Sequence, residues 1–255
     1  MKNIIVLILL LFNLSVYGQT LHVLVFADNI SNLKESSSAD KANLVAEIKR
    51  IVKYTNLKPK FYDKDHFSKE GCNSALSRIN CSSEDVILFY YTGHGFRYED
   101  QKLKYPFLAF GNSGSYFLKD KTPNLEEIND LLIGKKGRLV ITIGDLCNSI
   151  TKGIKEPIRS ISGIDENAAK NYRNLFLNAK GNILIASSSP TQISIATEMG
   201  SIFTLAFIYN LRSGANNKKI ATWEEIATKT EWLTNDFAQV LKMNQNPIYK
   251  IDIQY

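Results

Sequence analysis

Several stretches of this chain are apolar almost without interruption: Leu21–Ala27, Val86–Tyr91, Leu139–Ile143 and the shorter Asn182–Ala186. Runs this short, bounded by turn formers, predict strands buried on both faces of a parallel sheet. Between them the spacing changes to a helical one. Leu44, Val45, Ile48, Ile51 and Val52 predict an amphipathic helix, with Ser37, Ser38 or Asp40 as its cap. Lys60–Tyr62 predicts a short second strand, and Ala75, Leu76 and Ile79 mark a second helix. Tyr105–Phe110 fits a flanking hairpin strand. Thr122-Pro123 opens a helix in the order cap then proline, and Gly134 closes it. Helices are also expected over Asp165–Ala179, over Ser201–Leu211, and after a Thr222/Glu225 capping box, with an edge strand at Ile248–Ile253. Ser149–Ile164 is polar, basic and rich in turn formers, as an exposed loop would be. Strands alternating with helices predict an α/β fold, its sheet mostly parallel with helices on both faces.

The first residues stand apart from this pattern. Lys2 precedes an apolar run from Ile4 to Val16, short for a bilayer span, which predicts a signal peptide cleaved after Gly18; an uncleaved anchor is the alternative. A signal peptide implies a secreted or periplasmic protein. No later stretch is long and apolar enough to cross a membrane. With 44% apolar and 22% charged residues the chain suits a globular domain. The net charge of +6 is spread without a basic stripe, which argues against nucleic-acid binding. Three cysteines are an odd number for an oxidising compartment. Cys72 and Cys81 could close a small loop, leaving Cys147 as the odd thiol.

Chemistry concentrates where two buried strands end. Val86–Tyr91 runs into Thr92-Gly93-His94-Gly95, and Leu139–Ile143 into Gly144-Asp145-Leu146-Cys147. In open α/β sheets the crevice beyond the carboxyl ends of the strands holds the site, so His94 and Cys147 are expected to face one crevice. A cysteine becomes a nucleophile when an imidazole takes its proton, and the same imidazole can then protonate a leaving amine. The amides of Gly95 and Cys147 are candidates for an oxyanion hole. His22, inside the first strand, and His66, in a charged segment, are expected to be structural. Three histidines in separate segments, without CxxC or HxxxH spacing, argue against a zinc site.

Asp85-Val-Ile-Leu-Phe-Tyr-Tyr-Thr-Gly-His94-Gly95 resembles the strand and histidine motif of caspases and metacaspases. Ile141-Thr-Ile-Gly-Asp145-Leu-Cys147-Asn-Ser149 resembles their Asp-x-Cys motif, and the spacing of 53 residues is close to the caspase value of about 50. Downstream, Gly200-Ser-Ile-Phe203-Thr204 and Gln245-Asn246-Pro247 are similar to later motifs of the family. The resemblance implies a three-layer sandwich around a six-stranded, mostly parallel sheet, as one peptidase domain over residues 20–255 with an exposed loop at about 149–164. It implies a thiol endopeptidase acting on polypeptides through His94 and Cys147, with no cofactor; the family's calcium-binding aspartates find no match, leaving calcium dependence open. Asp145 matches the aspartate of an acidic specificity pocket, Thr92 replaces the usual serine, and Asp40 matches a second aspartate. Carboxylates there favour cleavage after Arg or Lys. Lys152, Lys155, Arg159 and Arg173 lie in or near the expected loop and would permit self-cleavage. Asn148 and Ile150 depart from the metacaspase pattern, and a catalytically silent peptide-binding module is the alternative.

Overall fold

Residues with alternating inward and outward side chains need two separate cores, and this chain builds both. The computed structural model describes residues 18–62, 67–110, 122–148 and 167–255. In chain order the main elements are β1 (Thr20–Ala27), α1 (Lys34–Thr55), β2 (Lys58–Phe61), α2 (Lys69–Ser77), β3 (Val86–Gly93), β4 (Gly95–Phe96) and β5 (Phe107–Leu108). There follow α3 (Leu125–Ile133), β6 (Leu139–Leu146), α4 (Ala168–Arg173) with a π-helical turn at Asn174–Asn178, and β7 (Lys180–Ala186). The chain closes with β8 (Ala196–Thr197), β9 (Gly200–Ser201), α5 (Ile202–Asn216), α6 (Trp223–Val240) and β10 (Ile248–Gln254).

The six-stranded sheet has the order β10-β7-β6-β3-β1-β2, and its pairings are parallel except β10 on β7. Leu21, Val23 and Val25 of β1 face one way, into a core shared with α1, α4, α5 and α6. Leu24 and Phe26 face the other way, into a core with α2 and α3. The α/β sandwich with helices on both faces is therefore as expected. Removal of a core leucine such as Leu88 to alanine would cost about 2–5 kcal/mol.

Local details differ from the sequence pattern where tertiary contacts take over. Helix α1 starts at Lys34 behind Leu33, which makes no side-chain cap, and the expected caps Ser37, Ser38 and Asp40 lie inside the helix. Asp40 is buried there, its carboxylate turned to other elements. Helix α3 is capped not by Thr122 but by Asn124, whose side chain and Glu127 form a reciprocal capping box. The reason is visible at Pro123, whose carbonyl still accepts from Leu108 N at 3.0 Å and so belongs to the small sheet rather than to a helix. No disulfide joins Cys72 to Cys81: Cys72 is sealed in the α2 core, and Cys81 points to the Ser82 carbonyl. Arg173 ends helix α4, inside the helix expected over Asp165–Ala179. The signal-peptide segment through Tyr17, His66, the Ser149–Ile164 loop with Ile150, Lys152, Lys155 and Arg159, and the expected helix start at Asp165 lie outside the described residues. Among the described residues no helix is long and apolar enough to cross a membrane.

Candidate active site

Parallel pairing of β3 with β6 sets the geometry. In that register Thr92 faces Asp145 and Gly93 faces Leu146, so the next residues out, His94 and Cys147, leave the sheet side by side at its carboxyl edge. The approach is close. A side-chain carbon at Gly95 would fall 2.6 Å from the Cys147 carbonyl oxygen, so only glycine lets the histidine turn lie against the cysteine turn. The two backbones named for an oxyanion hole are thus adjacent.

The histidine is held by a loop that sequence reasoning missed. Asp28, at the end of β1, accepts from Ile30 N at 3.1 Å, Ser31 N at 2.9 Å and Ser31 Oγ at 2.6 Å, and its own N–H donates to the Thr92 carbonyl at 2.9 Å. The turn so formed carries Asn32, whose Oδ1 lies 2.8 Å from His94 Nε2. An amide oxygen accepts only, so the proton sits on Nε2 and Nδ1 keeps its lone pair. Burial lowers the His94 pKa, against the charge of Asp28, which raises it. The neutral imidazole is therefore the resting form near pH 7, ready to act as a base.

Cys147 is half-buried, and its sulfur accepts from Ser194 N at 3.3 Å. Burial pushes its pKa up to about 11, the Asp145 charge adds to this, and the Ser194 N–H opposes it. The resting sulfur is a thiol. Its neighbour Asn148 is fully buried and ties three loops together: its amide nitrogen donates to the carbonyls of Lys104 at 3.1 Å and Ser188 at 3.2 Å, and its oxygen accepts from Arg97 at 3.3 Å. The departure at Asn148 is thus accommodated as a buried bracket beside the cysteine.

Asp40, Thr92 and Asp145 converge below this edge. Thr92 Oγ1 donates to Asp40 Oδ2 at 2.8 Å, and Ser201 N donates to Asp40 Oδ1 at 2.8 Å. Asp145 accepts from Ser194 Oγ at 2.7 Å, from Thr204 Oγ1 at 2.5 Å and from Ser201 Oγ. Gly200, at φ +115°, has a conformation side chains rarely adopt, and it packs directly against the Asp40 carboxylate. Gln245 supports the same group from below, donating to Ser194 Oγ at 3.1 Å and accepting from Ile195 N at 2.8 Å. Of these partners, Gln245 and the segment at Gly200–Thr204 carried a signal in their motifs, whereas Asn32, Asp28 and Ser194 carried none.

Burial and then the charge of Asp145 hold the Asp40 carboxyl well above the usual carboxylate range; burial also raises Asp145, against its hydroxyl donors. A carboxyl raised in the folded state adds stability below its unfolded pKa of about 4, and that stability is lost as pH rises toward the folded value. Asp40→Asn should therefore melt higher than the parent at pH 7–8, by about 2–4 °C per kcal/mol relieved, and level with it near pH 4. Equal slopes of melting temperature against pH in the two proteins would count against a raised carboxyl at Asp40.

A family model described as caspase domain matches residues 23–252. Among solved structures, the chain resembles caspase-1 from Spodoptera frugiperda with a TM-score of 0.57 and 13% identity, over 91% of this chain and 86% of that one. It also resembles protein GSU0716 from Geobacter sulfurreducens, with a TM-score of 0.49 and 12% identity, over 91% and 92% of the two chains. No match was found among curated proteins.

Proposed function

Because the chain belongs to the caspase-domain family, we propose that it is an exported cysteine endopeptidase that cuts polypeptides after Arg or Lys, with Cys147 as nucleophile and His94 as its proton acceptor. The observation that carries this reading is the contact between the two strand ends, where Gly95 lies against the Cys147 carbonyl. Export is supported by the apolar segment behind Lys2. No cofactor is required by the chemistry.

In this mechanism Cys147 Sγ attacks the scissile carbonyl while His94 Nδ1 takes the thiol proton. The carbonyl oxygen, now negative, is received at the Gly95 and Cys147 amides. Collapse breaks the C–N bond, His94 returns the proton to the leaving amine, and water then cleaves the thioester with His94 as base. Asn32 keeps the Nε2–H tautomer, which leaves Nδ1 free for this work. A thiol with a raised pKa beside a neutral imidazole favours proton transfer during attack over a standing thiolate–imidazolium pair. Asp145 and Asp40 would receive the cationic side chain of the residue before the cut.

The raised thiol pKa also favours a second reading, a peptide-binding module that does not turn over. A peptidyl chloromethyl ketone ending in Arg separates the two. An active peptidase should be alkylated at Cys147, seen by peptide mapping, with hydrolysis blocked at one equivalent. A protein that binds the matching peptide but leaves Cys147 unmodified would be the module.

A further inference from the structure

At the opposite end of the sheet lies a second group of metal-competent side chains. We propose that His22, Cys81 and Asp85 form a binding site for a zinc-type divalent ion. His22 comes from β1, Cys81 from the turn after α2, and Asp85 immediately precedes β3. One ligand atom from each lies within 4.8 Å of the others. The site is separate from the catalytic edge, because the eight residues of β3 stand between them, about 26 Å of strand.

The geometry is that of a tetrahedral edge. Nitrogen and oxygen ligands at 2.0–2.2 Å from zinc stand about 3.3–3.6 Å apart, and His22 Nε2 lies 3.3 Å from Asp85 Oδ2. Outer contacts of the kind that orient metal ligands are in place. His22 Nδ1 lies 2.8 Å from the Tyr62 hydroxyl, which can accept its proton and so leave Nε2 free for a metal. Asp85 is fixed by Thr20 N and Ser82 N, each at 2.7 Å.

Charge is balanced as well. A neutral imidazole keeps a lone pair, as a ligand must. Metal binding must displace the Cys81 thiol proton to solvent. One thiolate and one carboxylate then neutralise a doubly charged ion, and water completes the shell beside half-exposed Cys81. Lys60 and Lys135 also reach this region, and the ion must bind against their charge. The fold brings His22 of β1 to Cys81 and Asp85, which share the loop before β3.

Cobalt(II) is the probe. The full chain carrying Cys147→Ala, which removes the other accessible thiol, is stripped with chelator and titrated with Co²⁺ and then Zn²⁺. One equivalent of Co²⁺ should give a near-ultraviolet sulfur-to-cobalt band that Zn²⁺ displaces, and Cys81→Ser in the same background should lack it. Zn²⁺ should also slow alkylation of Cys81 by at least tenfold, read by peptide mapping without a second variant, and raise the melting temperature. A band that survives Cys81→Ser, no band at all, or an unchanged Cys81 alkylation rate would overturn the site.

Discussion

Alanine at Cys147 is expected to abolish peptide hydrolysis, and alanine at His94 to slow it by about 10²–10⁴-fold, with both variants melting within a few degrees of the parent. The size follows from the resting state of the thiol. With a pKa near 11 only a trace is thiolate at neutral pH, so attack depends on the imidazole at the adjacent strand end. A graded third variant locates the histidine's support. Asn32→Ala removes one hydrogen bond, worth about 1 kcal/mol, and should cost five- to tenfold in kcat with little change in KM. Initial rates on one basic peptide, with circular dichroism as the folding control, decide all three. Full activity in either Cys147→Ala or His94→Ala would remove the pair from the mechanism.

Asp145→Asn should lower kcat/KM for peptides with Arg or Lys before the cut by tens to thousands of fold. This corresponds to the about 2–5 kcal/mol typical of breaking a buried charge pair. Peptides with a neutral residue there should lose far less. The pH dependence adds a sign. Asp40 is raised by burial and by Asp145, so the carboxyl pair holds a proton that a cationic side chain received there must expel. For basic peptides kcat/KM should therefore climb with pH until that proton is gone, mostly through KM, a limb that neutral peptides lack. A panel of peptides with Arg, Lys, Asp and Leu at that position, assayed across pH, reads both effects. Preferred cutting after Asp would reject the acidic pocket.

How much of this was legible beforehand differs by element. The strands β1, β3, β6 and β7 were plain because each carries a nearly unbroken apolar run, and the ends of β3 and β6 located His94 and Cys147. Asp40 was pulled two ways: locally it looks like a helix cap, and only the family resemblance tied it to Asp145. Its true contacts include Ser201, 161 residues on, and no local pattern encodes a bond of that reach. Asn32 was invisible for a related reason. It is one polar residue in a polar loop, and what gives it a role is the Asp28 turn that delivers it to the histidine. Asn124 was passed over for Thr122 because Pro123 looked like a first helical residue, while in the fold its carbonyl serves a strand. The trio of His22, Cys81 and Asp85 shows the same limit, since His22 comes from β1 while Cys81 and Asp85 share the loop before β3.

Gln245 and the antiparallel strand β10 come late in the chain, yet Gln245 holds Ser194 and β10 seals the outer edge of β7. Loosening Gln245 would thus free Ser194 from its hold on both the Asp145 carboxylate and the Cys147 sulfur, so one distant side chain keeps two parts of the sheet edge in register.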